Sequence, residues 1–78
     1  MKAVYLSIEC RIGYRITYGV AAVDAEDGEK IVLGAVVDVS SDRKEADQVA
    51  DYCNRMSLNP ERLHEAVIDY VDRHSSER

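Results

Sequence analysis

Hydrophobic and polar positions alternate with a period of two through the first half of the chain, then switch to a helical period at Ser40. From Lys2 to Cys10, Val4, Leu6 and Ile8 fall on one side and Tyr5, Ser7 and Glu9 on the other, as in a half-buried strand. Arg11-Ile12-Gly13 reads as a tight turn, with Gly13 suited to positive φ. Alternation resumes over Tyr14–Ala25, where Tyr14, Ile16, Tyr18, Val20 and Ala22 share a face. Glu26-Asp27-Gly28-Glu29 is a hairpin signal, because Asp-Gly lies between two β-rich runs. Lys30–Val39 is the third strand, with apolar residues on both faces.

After Ser40 the signals are helical. Ser41 or Asp42 can cap a helix, and Glu45 stands where a capping box places its acid. Ala46, Val49, Ala50, Cys53 and Met56 recur at steps of three and four, opposite Lys44, Asp47, Gln48, Asp51 and Arg55. Asn59 then caps a second helix, Pro60 suits its first position, and Leu58 and Leu63 are placed to form a hydrophobic staple. Leu63, Ala66, Val67, Tyr70 and His74 share its apolar face.

The expected fold is therefore α+β: a three-stranded antiparallel meander followed by two helices packed on one face (βββαα). Residues 1–78 form a single domain, with 75–78 as a frayed tail. Val4, Leu6, Ile8, Ile16, Tyr18, Ile31, Leu33 and Val37 are expected to meet the helices. One bulge would exchange the two faces.

That allocation leaves an apolar surplus. Tyr5, Ala21, Val23, Val32 and Val36 fall on the sheet face turned away from the helices, and Ile68 sits amid the acidic stripe of the second helix. A patch of this kind on so small a sheet marks a docking surface or an aggregation hazard. These six residues are the expected partner contacts. The third strand, apolar on both sides, is also a template for pairing at a sheet edge.

Composition narrows the alternatives. The 78 residues carry 10 basic and 15 acidic side chains, a formal charge of −5, with neither half of the chain basic. Binding to a phosphate backbone lacks its electrostatic footprint, so no nucleic-acid partner is expected. Two helices joined across Met56–Asn59 have the outline of a DNA reader, but the second opens with Glu61, Arg62, His64 and Glu65. No apolar run nears the ~20 residues that span a bilayer, and Met1–Ile8 lacks the features of a secretion signal. No membrane partner is expected, and the cytoplasm is the expected location. All five aromatic residues are Tyr, each able to bury a ring and extend a hydroxyl.

Candidate chemistry is thin. Cys10, Cys53, His64 and His74 match no zinc spacing, so no metal is expected; with no sign of secretion, the cysteines read as reduced and largely buried. Glu61, Glu65, Asp69 and Asp72 read as a solvated helix face, with Arg73 placed to pair with Asp69. Cys10 beside Arg11 reads as a strand-end hydrophobe rather than an activated thiol. The serines lack a nucleophile elbow, and the four glycines are too dispersed to cradle phosphate. No catalytic or cofactor-binding residue is assigned.

The order of signals resembles a small family of bacterial domains of unknown function found mainly in clostridia and their relatives. The likeness rests on Tyr18-Gly19-Val20, Val39-Ser40, Cys53-Asn54 and Leu58-x-Pro60-x-x-Leu63, and it covers about Tyr14 to Val71. The family has a His before the Leu of the final motif and closes its last helix with an acidic-aromatic pair. Here the order is Arg62-Leu63-His64, with Asp69-Tyr70 following, so no role for that His is transferred. The resemblance implies a bacterial cytoplasmic origin and no assigned activity.

The leading expectation is a non-catalytic protein–protein interaction module, homodimeric, working through the open sheet face or the third-strand edge. One alternative is a small-ligand or enzymatic site between sheet and helices, lined by Tyr14, Tyr18, Tyr52 and His64. Another is an acidic decoy or regulator of a nucleic-acid-binding protein.

Overall fold

The computed structural model describes residues 3–26 and 31–75, the side chains of His74 and Ser75 excepted. Strands β1 (Ala3–Ile12), β2 (Arg15–Asp24) and β3 (Ile31–Ser40) form an antiparallel sheet in the order β1-β2-β3. Helix α1 (Arg43–Arg55) follows, then a 3₁₀ turn (Pro60–Arg62) running into α2 (Leu63–Ser75). Both helices lie on one face of the sheet, α1 over β1 and β2, α2 beside β3. The expected βββαα architecture is the architecture found.

Local signals placed most boundaries. Asp42 caps α1, its carboxylate accepting from the Lys44 N–H at 3.0 Å. Asn59 does the same for the Glu61 N–H at 3.0 Å, with Pro60 beginning the 3₁₀ turn. Gly13 adopts φ 62°. The β1–β2 turn is shorter than expected: Arg11 and Ile12 still pair with Ile16 and Arg15, leaving Gly13 and Tyr14 to reverse the chain. Asp27-Gly28-Glu29, the heart of the second hairpin signal, lies outside the described residues, as does Lys30.

The core corrects the expected facing of β1. Tyr5 is buried, 2% exposed, among Val20, Ala22, Val49, Cys53, Leu63 and Val67. Side chains of directly paired residues share a sheet face. Tyr5 pairs with Ala22, so both face the helices, whereas Val4, Leu6 and Ile8 pair with Val23, Ala21 and Gly19 and turn away. The physical cause is the phenol: its ring fills the space beneath the helices and its hydroxyl donates to the Leu58 carbonyl.

Strand β3 changes facing through irregularities. Val23 pairs with Val32 but Ala22 pairs with Gly34, so Leu33 is extra. Val20 pairs with Val36 and Tyr18 with Ser40, so β3 spends two further residues there, with Asp38 at φ 55°. Val36 consequently turns toward the helices and packs on the core, while Val32 stays on the far side. Ile31, Leu33 and Val37, expected inside, are exposed. The second bulge presses on β2: a Cβ at Gly19 would stand 2.2 Å from the Val36 carbonyl oxygen. Only glycine fits there.

Candidate interaction surface

The sheet has one covered and one open face, and the polarity of β1 is reversed with respect to them. Ser7, Glu9 and Arg11 lie on the helix side, where the Ser7 hydroxyl donates to the Asp47 carboxylate of α1. Val4, Leu6, Ile8 and Ile12 lie on the side against which no described element packs. A sheet with one dry face ordinarily turns its polar alternates to water. Here the apolar alternates are turned outward.

The rows across that open face are Val4–Val23–Val32, Leu6–Ala21–Ala35 and Ile8–Gly19. Their relief is uneven. Ala21 and Val23 on the central strand are 5% and 7% exposed, shielded by their neighbours, whereas Leu6 stands 44% and Val32 65% exposed on the flanking strands. The result is a shallow trough over β2 between two apolar ridges. Toward the far end, Cys10 pairs with Thr17, a buried residue whose hydroxyl has no hydrogen-bond partner among the described residues. Arg15 closes that end, 3.9 Å from Asp38. It is the one charged residue that the strand pairings place on this face among the described residues.

Both sheet edges are interrupted, β1 at Tyr5 and β3 by its irregularities. Along β1, the Asn54 side chain at the end of α1 takes the place of a neighbouring strand. Its Oδ1 accepts from the Tyr5 N–H at 2.8 Å and its Nδ2 donates to the Tyr5 carbonyl at 2.9 Å. Along β3, the two irregularities and the left-handed Asp38 bend the strand out of register for continuous pairing. The third-strand edge expected as a pairing template is thus a poor one.

Of the six expected contact residues, the structure brings Ala21, Val23 and Val32 together on the open face. It places Tyr5 and Val36 on the opposite side, against the core. Ile68 borders a separate groove of about 300 Å³ between β3 and α2, with Val37, His64 and Val71. Val4, Leu6 and Ile8 are the residues that sequence reasoning assigned to the wrong side. The signal that could have found them is cross-strand counting: a two-residue turn at Gly13-Tyr14 sets Val4 opposite Val23.

The other candidate chemistry is dispersed. Tyr14 is fully exposed on the β1–β2 turn, His64 borders the β3–α2 groove, and Tyr52 packs against Tyr70 with ring centroids 5.1 Å apart. These rings do not converge on one cavity. On the acidic face of α2, Glu65 lies 3.6 Å from Arg62 and Asp69 2.6 Å from Arg73, all exposed. Cys10 is half-buried and Cys53 buried, both as free thiols. Burial pushes the Cys53 thiol pKa up; burial, with Cys53 adding to it, raises that of the Tyr5 phenol. Both shifts favour the protonated form. Among the described residues no three His, Cys, Asp or Glu side chains converge as a metal site requires, and no helix is long and apolar enough to cross a membrane.

No protein-family model, curated protein or solved structure matches this chain.

Proposed function

We propose that this chain is a non-catalytic protein–protein interaction module, bacterial and cytoplasmic, whose working surface is the open face of its sheet. The observation that carries the reading is the reversed polarity of β1, with Ser7 and Glu9 on the helix side and Leu6 and Ile8 facing outward. An apolar sheet face of this extent is retained by a folded domain when another surface covers it.

A photo-crosslinking side chain placed at Val32 tests this, with one at the exposed Lys44 on α1 as control. In extract from the native cell, position 32 is expected to give a discrete protein adduct and position 44 none. Equal labelling at both, or no adduct at 32, overturns the proposal.

A further inference from the structure

We infer that the occupant of the open face is a second copy of the same chain, docked face to face to make a four-layer helix–sheet–sheet–helix dimer. This rests on the reading of that face as a docking surface, and goes further by naming the partner and the geometry. Four features favour a copy over a different protein.

The first is area. Three strands of about ten residues, at ~3.3 Å per residue and ~4.8 Å between strands, present roughly 450–500 Å² of flat sheet. Two copies together remove about 1,000 Å² from water, near the lower bound for a specific interface. The surface is large enough for a dimer and matched to one.

The second is relief. A two-fold contact requires that the surface complement itself. The ridge formed by Val4 and Leu6 and the trough over Ala21 and Val23 lie side by side on this face. A two-fold rotation sets the ridge of each copy into the trough of the other, as side chains of packed sheets interdigitate at ~10 Å separation.

The third is charge. The chain carries −5 overall, which opposes the approach of two copies, so their contact must add no opposed like charges. Arg15 lies at the far end of the face, beside Asp38. Among the described residues, the rest of the paired face meets its own image without like charges opposed.

The fourth is the state of the edges. The Asn54 carboxamide occupies the β1 edge, and bulges deform that of β3. Edge-to-edge pairing of copies is interrupted at Tyr5 and along the bulged stretch of β3. Face-to-face stacking meets neither interruption.

Sedimentation equilibrium of the full chain, from the micromolar to the millimolar range, reads the outcome. The wild type is expected to rise twofold in weight-average mass. Leu6→Glu and, independently, Val32→Glu should stay at monomer mass with unchanged far-ultraviolet circular dichroism. Val32 is 65% exposed, so its substitution leaves the core intact even if Leu6→Glu disturbs folding. Ile68→Glu, across the molecule in the β3–α2 groove, should dimerise like the wild type. A dimer that persists in both glutamate variants overturns the face-to-face geometry. A wild type that remains monomeric while position 32 still crosslinks to a different protein overturns the second copy but spares the docking surface. A monomer that gives no such adduct removes both.

Discussion

Among single residues, Thr17 on the sheet's far face and Cys53 in the core show how burial governs the behaviour of polar atoms. The Thr17 hydroxyl is buried with no described partner, a position where the polar atom is costly rather than useful. Thr17→Val keeps the shape and removes the unpaired group, so it should raise unfolding stability by about 1 kcal/mol, measured by urea denaturation. Cys53 and Tyr5 carry raised pKa values, so the folded state holds their protons more tightly than the unfolded chain does. Their contribution is fully present below the ordinary thiol value of 9.0. It is lost progressively as pH rises through that value, and through 10.0 for the phenol, toward the raised folded values. The melting temperature should therefore fall on the alkaline side of pH 9, and fall less steeply in Cys53→Ala once its own lower baseline is subtracted. Both effects were partly legible beforehand. Cys53 lies on the periodic apolar face of α1, which marks it as buried, whereas Thr17 reads as an ordinary strand residue until its cover is known.

At the scale of elements, local grammar wrote the helices and tertiary packing decided the strands. Asp42, Asn59 and Pro60 sit where their capping roles place them, and Ala46, Val49, Ala50 and Cys53 are buried as their spacing requires. Met56 departs from that face because α1 ends one residue before it. The strands were legible as strands but not in their facing. An alternating pattern says that two faces differ without saying which is covered, and β1 resolved that choice through Tyr5 reaching the Leu58 carbonyl. The bulges in β3 then moved Val36 to the covered side, and nothing in Ile31–Ser40 marks them except Asp38, whose short side chain tolerates a left-handed backbone. Asn54 joins these scales by binding both main-chain groups of Tyr5. Asn54→Ala should cost roughly 1–3 kcal/mol for two hydrogen bonds, and should free the β1 edge for pairing. Denaturation and the onset of light scattering on warming measure the two consequences.

For the molecule as a whole, the governing fact is thinness. The chain spans 41 × 29 × 18 Å along its principal axes, one sheet and one layer of helices. Its fully buried side chains are small, Val20, Val49, Thr17 and Cys53 being the largest. If docking of a second copy completes the apolar burial, stability depends on mass action. The wild-type melting temperature should then rise with protein concentration while that of Val32→Glu stays constant, a comparison made by differential scanning fluorimetry. The candidate surface was half legible from the chain, because Ala21, Val23 and Val32 follow from alternation alone. Leu6 and Ile8 required the knowledge that the more apolar side of β1 is the uncovered one, which inverts the usual inference from pattern to interior. The contact between Gly19 and the β3 backbone carries a different kind of consequence, one that concerns descent. Positions 19 and 36–40 form a heritable unit: while the longer strand keeps its two surplus residues, a methyl group at 19 is barred. A lineage that deletes those two residues is released from the bar, and any residue of strand character can then enter there. A residue other than glycine at 19 should thus occur only where the two surplus residues have gone.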